Sequence, residues 1–412
     1  MKKTVILFIS FFMSVASEKA AQAVELPDID VHGFISQGYL KTDNNNYLAE
    51  TEDGTFQFNE MGINFSADPT DLLHIGVQFF ARDLGMVGND DVILDWAFAD
   101  YRWQNWMGIR VGKIKIDYGL YNETREIDML RTSVMLPQSV YPEVWRRSFS
   151  AIKGIAFYGY LPLGAMGRLA YDGQLGVMEF REDEGFAKSI APRMEEDFHI
   201  TSIDSDYAWF GSIRWNTMLP GFITKMTYYD IKGMEGTGDL IKIKEGGGIK
   251  HNPENFEVIE KDGYVFSFEY TWKNLILTAE YAKDNFQIAR IPGGQPQPEP
   301  PPQGNQPSKE TSEGWYISGS YRLSDWFELG MGYSEYYPDI DDKDGKKKPK
   351  KPEFISWLKT TTLSTRFDIN DYWILKLETS YNDGFGGINL AGNPDKQDRY
   401  WYLFAAKMTF SF

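Results

Sequence analysis

The sequence predicts an all-β fold, a 16-stranded antiparallel transmembrane β-barrel, and three observations carry that reading. Strand-like alternation of apolar and polar side chains recurs from residue 31 to the C-terminus. The gaps between these segments are of two kinds, short and long, and the two kinds alternate strictly. No stretch beyond the N-terminal segment approaches the roughly 20 apolar residues that a spanning helix requires. In lipid only helices and closed barrels satisfy every backbone hydrogen bond, so a membrane reading of this chain has to be a barrel.

The short gaps fall at 68–71, 104–105, 161–164, 217–221, 273–274, 324–325 and 370–371. They carry the Asn, Asp, Gly and Pro that tight hairpin connections need. The long, polar gaps are 41–54, 84–91, 117–150, 178–206, 232–255, 285–313, 338–352 and 384–399. Seven short and eight long connections join sixteen strands, and an even number puts both termini on the side of the short turns. A soluble sandwich has no reason to sort its loops by length and side.

Between the gaps, period-two segments present one apolar and one polar face. Leu73, Ile75, Val77, Phe79 and Ala81 oppose His74, Gly76, Gln78, Phe80 and Arg82; Leu375, Leu377, Thr379 and Tyr381 oppose Lys376, Glu378, Ser380 and Asn382. The first set of each faces lipid and the second the lumen. In the segment 94–102 either Trp96 and Phe98 or Ala97, Ala99 and Tyr101 suit the outer face, and the parity stays open. Trp103, Trp106, Trp215, Trp272, Trp326, Tyr372 and Trp373 cluster beside the short turns. Amphipathic rings at one level suit a membrane interface and account for part of the 16% aromatic content.

At the N-terminus Lys2 and Lys3 precede an apolar run from Val5 to Val15, and Ala21-Gln22-Ala23 follows. This is the pattern of a secretory signal peptide over residues 1–23, with a single barrel domain over 24–412. The net charge of −17, made more negative by losing three signal-peptide lysines, argues against nucleic-acid binding. Absence of cysteine excludes disulfides and thiolate metal or redox sites.

At the C-terminus Tyr402, Phe404, Ala406, Met408, Phe410 and Phe412 alternate with Ala405, Lys407, Thr409 and Ser411. The closing aromatic resembles the end signal by which Gram-negative outer-membrane proteins are recognised for barrel assembly, which makes Phe410 and Phe412 a candidate assembly signal. The stretch Arg110-Val111-Gly112-Lys113-Ile114-Lys115, followed by Tyr118-Gly119-Leu120-Tyr121-Asn122-Glu123-Thr124-Arg125, resembles the strand that feeds the third loop of general and phosphate-selective porins. The resemblance implies short periplasmic turns, long extracellular loops, a third loop (117–150) folded into the barrel to narrow it, and a homotrimer. The gap 117–150 is also the longest here, as that reading requires.

A barrel of sixteen strands encloses an aqueous channel, so function lies in what lines it. The third loop offers Glu123, Arg125, Glu126, Asp128, Arg131, Arg146 and Arg147 as constriction charges, with Glu143 beside them. Opposing charges across a narrow gap select solutes by size and sign. Parity assigns Glu60, Arg82, Arg110, Arg366, Lys376 and Glu378 to the lumen wall, together with Glu280, Glu328, Arg322 and Lys407.

Weaker signals carry less. The proline-rich run 292–307 reads as a stiff extracellular tip, or as a ligand for a partner domain. Asp339, Asp341, Asp342 and Asp344 hint at calcium, but the glycine and glutamate of an EF-hand loop are misplaced. Lys346, Lys347, Lys348, Lys350 and Lys351 read as a solvated charge run, or as a contact with lipopolysaccharide phosphates. The four histidines are scattered and no catalytic motif accompanies them, so neither an enzyme nor a cofactor or metal is expected. The leading expectation is a passive diffusion channel for ions and small hydrophilic solutes. The alternatives are an anion channel with a phosphate-like binding site and, in another class, a surface receptor or adhesion barrel.

Overall fold

The computed structural model describes residues 27–194, 198–243, 249–292, 308–347, 351–388, 392–393 and 397–412. The expected signal peptide (1–23), residues 293–307 of the proline-rich run, and Lys348 and Lys350 lie outside the described residues. In chain order the first strands are β1 (Asp30–Thr42), β2 (Asn59–Thr70), β3 (Leu73–Leu84), β4 (Val87–Gly88), β5 (Ile93–Gln104), β6 (Met107–Lys115), β7 (Ala151–Pro162) and β8 (Arg168–Met178). Helix α1 (Gly185–Met194) and β9 (Phe198–Asp204) follow, then β10 (Tyr207–Asn216), β11 (Phe222–Lys232), β12 (Met234–Ile243) and β13 (Ile249–Trp272). The chain ends with β14 (Leu275–Pro292), β15 (Ser308–Ser324), β16 (Phe327–Tyr337), β17 (Leu358–Asp368), β18 (Trp373–Gly384) and β19 (Tyr400–Ser411).

Leaving aside β4, β9 and β12, sixteen strands pair antiparallel with their chain neighbours, and β19 closes on β1 with Phe34 opposite Ser411 and Thr42 opposite Leu403. Closure leaves the ring no unpaired edge, as lipid demands. The strand count and the alternation of short turns with long loops are those the sequence predicts. Parity holds as well: along β19 Tyr402, Phe404 and Met408 are exposed while Trp401, Leu403, Ala405, Lys407 and Thr409 are buried. Exposed apolar side chains such as Ile35, Ile75, Val111, Leu277, Met331 and Leu363 form the outer belt. At the short-turn end Trp103, Trp106, Trp272, Trp326 and Tyr372 stand exposed beside it. Phe410 packs against Trp373, ring centroids 5.0 Å apart.

A β-bulge resolves the one ambiguous strand. The pairing of β3 with β5 slips between Gln78 and Phe79, with Gln78 opposite Trp96 and Phe79 opposite Leu94, so Asp95 is the extra residue. Trp96 and Phe98 therefore share the face of Gln78 and stack at 5.3 Å, while Tyr101 faces out. The polar Asp95 gives no sign of this in the alternation.

Two predicted loops are more ordered than their composition suggests. The segment 232–255 is largely strand: β12 pairs with the first half of β13 and with β9. With 24 residues β13 is more than twice the roughly 9–11 that cross a bilayer, so its first half rises beyond the membrane. Helix α1, in the segment read as a loop at 178–206, contributes Phe186, Ala187 and Ile190 to an apolar cluster with Phe198, Leu240, Phe256 and Ile288. These residues bury one face of the raised sheet, which a strand pair in water needs for stability.

Gly33 and Phe412 exchange both backbone hydrogen bonds, each 3.0 Å, at the seam. Deleting Phe412 removes that pair and the last lipid-facing ring. The expected outcome is a several-fold lower yield of heat-modifiable, folded barrel in the outer-membrane fraction, measured by gel shift; an unchanged yield would contradict the role.

Candidate functional site

Residues 116–150 connect β6 to β7 by crossing the lumen, and their bonds reach strands all round the ring. At the start of the loop, Asp117 pairs with Lys225 of β11 and accepts from Ser212 of β10 at 2.5 Å. Next, Glu280 of β14 accepts from the Leu120 amide (2.9 Å) and from the hydroxyls of Tyr141 (2.5 Å) and Tyr316 (2.7 Å). Further along, Arg366 of β17 donates to the Met129 carbonyl, Thr132 donates to Glu328 of β16, and the Val134 amide donates to Glu378 of β18 at 2.8 Å.

The centre of this attachment is a buried ionic knot. Asp128 lies 2.8 Å from Lys407 Nζ, 3.4 Å from Lys376 Nζ and 3.2 Å from Arg131, and it accepts from Thr409 at 2.7 Å. Lys407 also meets Glu60 at 2.5 Å, and Glu60 in turn pairs with Arg146. Glu143 joins Arg82 (2.9 Å), Arg125 (3.1 Å) and Arg146 (3.7 Å). On the other side of the loop, Glu126 pairs with Lys115 at 2.7 Å, which also meets Asp95 at 3.1 Å. Burial disfavours the Asp128 carboxylate, but Lys407, Lys376 and Arg131 outweigh it and hold its pKa far below the usual range. Burial likewise opposes the Glu143 charge, and Arg125, Arg82 and Arg146 outweigh it.

Most of the constriction charges expected from the sequence are therefore anchors. Arg125, Glu126, Asp128 and Arg146 are buried and paired with wall or loop groups, and Arg131 and Arg147 pair with Asp128 and Glu184. Glu123 differs: it is exposed to lumen water. Among the wall residues, Glu60, Arg82, Arg366, Lys376 and Glu378 all hold the loop, while Arg110 pairs with Asp100 at 3.1 Å over the Phe98 and Tyr158 rings. Parity alone could have added Lys225, which shares the inner face of Thr227 and alternates with the exposed Met226. Asp95 needed the bulge, and Tyr141 gives no sequence signal as a Glu280 partner.

Two further loops fold over the mouth. Trp145 of the third loop donates to Ser189 of α1 at 3.1 Å and packs against Phe186 at 5.9 Å. Tyr47 and Leu48 of the first loop join an apolar cluster with Val134, Trp401 and Leu403.

Among the described residues a slot stays open between residues 130–138 and the wall made by β14 to β18, enclosing roughly 1110 Å³ of space continuous with solvent. It extends from Ser334 and Asn382 near the long-loop end down to Glu328 and Ile276 near the short turns. The six steps from Glu328 to Ser334 alone span about 20 Å at ~3.3 Å per residue.

No family model and no curated protein matches the sequence. Solved structures do match, over nearly the whole chain. OmpF of Salmonella typhi, in complex with daunomycin, is similar with a TM-score of 0.55 and 11% identity, over 94% of this chain and 98% of that one. The outer membrane channel DcaP of Acinetobacter baumannii gives 0.53 and 10%, covering 93% and 97%. A loop-deleted OmpT, an outer membrane protein of Vibrio cholerae, gives 0.54 and 10%, covering 93% and 99%. This chain has the 16-stranded outer-membrane porin fold. At such identities the likeness is one of fold, and within the porin fold this chain's own residues carry the functional argument.

Replacing Asp128 by Asn in this porin fold leaves Lys376 buried without its carboxylate and Lys407 with Glu60 alone. Breaking a buried pair from one side costs about 3–5 kcal/mol. Denaturant unfolding of the detergent-refolded D128N barrel should show that loss, and stability equal to the parent would contradict the anchoring. Asp128 and Glu143 have lowered folded pKa values, so their contribution is fully present above the unfolded carboxylate range of about 4 and falls away only as pH drops below it.

Proposed function

We propose that this chain is an outer-membrane diffusion channel for ions and small hydrophilic solutes, and that solutes pass through the slot beside the third loop. The observation that carries the reading is the solvent-open slot along the wall, beside a loop that buried ion pairs keep in the lumen. Residues 1–23 act as a cleaved export signal in this reading. Assembly as a homotrimer, with lipopolysaccharide at the outer rim and the barrel-assembly machinery acting on the C-terminal strand, follows from the resemblance of the sequence to porins. The anion-channel alternative loses support, since Arg125 is buried against Glu143 and Arg131 is held by Asp128.

Selectivity then rests on charge that water reaches, and in the third loop this includes Glu123, which lies toward Asp117, Lys225 and Arg110 outside the slot lining and acts on passing ions through the field of the lumen. Surrounding protein disfavours its charge, Asp117 adds repulsion, and Lys225 opposes both; together they push the carboxyl up to about 7. It is neutral below that value and anionic above it, so the lumen gains negative charge as pH rises. In a planar bilayer the purified chain should give stepwise ohmic conductance. In a KCl gradient its reversal potential should shift toward cation selectivity between pH 5 and pH 9, and E123Q should abolish most of that shift. A folded protein that never conducts would refute the channel, and a shift that survives E123Q would refute the role of Glu123.

A further inference from the structure

The two walls of the slot differ in chemistry. The barrel wall is hydroxyl-rich: Thr278, Ser318, Thr360, Thr362, Ser364 and Ser380 come from four of its five strands, and Glu328 and Glu378 are its charged members. Several of these groups are already oriented by pairing across strands. Thr278 and Ser318 oxygens lie 2.6 Å apart, Thr362 and Ser380 oxygens 3.0 Å, and Thr360 donates to Asn382 at 2.7 Å. A hydroxyl has one proton and two lone pairs, so each paired group keeps capacity to bond a solute.

Opposite stands the loop, which offers Leu130, Met135, Leu136 and Pro137, with the Tyr121 ring among the lining groups. On β16, Gly330 and Gly332 stand where the alternation would otherwise aim side chains into the slot. A Cβ at Gly330 would come within 2.6 Å of the Ser364 hydroxyl and 3.2 Å of Thr132 on the loop, so Gly330 lets wall and loop meet closely there, while one at Gly332 would make an ordinary contact with Ser318 at 3.4 Å.

The charges that border the slot are occupied. Glu328 accepts from Thr132 and pairs with Arg322 at 3.2 Å, Glu378 accepts the Val134 amide at 2.8 Å, and Arg131 pairs with Asp128 while donating to the Arg125 carbonyl at 2.6 Å. A solute in the slot therefore meets chiefly hydroxyls along the barrel wall and chiefly carbon along the loop, where Thr132, Ser133 and Gln138 add polar atoms.

From this two-sided lining we infer that the slot is a binding subsite for uncharged saccharides. A pyranose ring has hydroxyls around its rim and C–H groups on its faces. The rim matches a wall that both donates and accepts, and a face matches the apolar strip of the loop. An inorganic anion gains little there, because the nearby cations are already paired. A polyether chain of similar width matches only half of the lining, since it accepts hydrogen bonds and donates none. The inference rests on the channel reading of the same slot and adds the class of solute.

Two measurements on the full mature chain keep the two ideas apart. In planar bilayers, maltotetraose should interrupt the current at concentrations at least about tenfold below those at which a polyethylene glycol of equal hydrodynamic size does. The double variant T362V/S380A should shrink that sugar-to-polyether ratio about tenfold, the size expected for losing two hydrogen bonds. Titration calorimetry on the detergent-folded protein reads sugar binding without requiring conduction, and heat-modifiability on gels verifies that the variant is folded. Equal block by sugar and polyether, or a ratio that the folded double variant leaves unchanged, would overturn the saccharide subsite while leaving the channel standing. Sugar binding by calorimetry in a protein that does not conduct would support the subsite and refute the channel.

Discussion

Lipid offers no hydrogen bonds, and the rest of this structure follows from that. A sheet in such a solvent has to close, which joins β19 to β1 across the longest separation in the chain. Closing sixteen strands makes a lumen too wide for wall side chains to fill. The chain fills part of it with its own loops, and the polar face that period-two alternation points inward becomes the surface on which those loops are fixed.

The third loop is held by charge more than by apolar contact at its centre. Asp128 sits among two lysines and an arginine, and Glu143 among three arginines, each carboxylate paired with cations of both loop and wall. Buried pairs of this kind add little net stability compared with an apolar packing, yet losing one partner is costly. Such an arrangement favours one position of the loop over others. The apolar residues Val134 and Leu136 finish the fit by joining the two clusters on either side. The slot is the space left over, and its hydroxyl wall is the part of the barrel that the knot does not use.

Much of the barrel was legible in the sequence because lipid and water read opposite faces of each strand. Leu363 outward and Thr362 inward follow from period two alone. The β5 parity was not legible, since a bulge at Asp95 breaks the period without any change in composition. Helix α1 and the raised half of β13 were hidden for a different reason: beyond the membrane the environment is water, and polar strands resemble polar loops. The lumen charges were found one by one, but not their pairing. Thr409 and Asp128 lie 281 residues apart, and only closure of the ring brings them within 2.7 Å. Charges that looked free to select ions in the sequence are, for the most part, fasteners.

The central claim is that the open path runs between the third loop and the β14 to β18 wall. The chain has no cysteine, so single cysteines report cleanly on which side chains the path exposes. Thr362→Cys and Leu363→Cys are neighbours on β17 with opposite faces. A water-soluble thiol reagent added during a single-channel recording should reduce the current stepwise in the Thr362 variant and leave the Leu363 variant unchanged. Current that is untouched in both, in channels that conduct normally, would mean that ions take another route and would contradict the account.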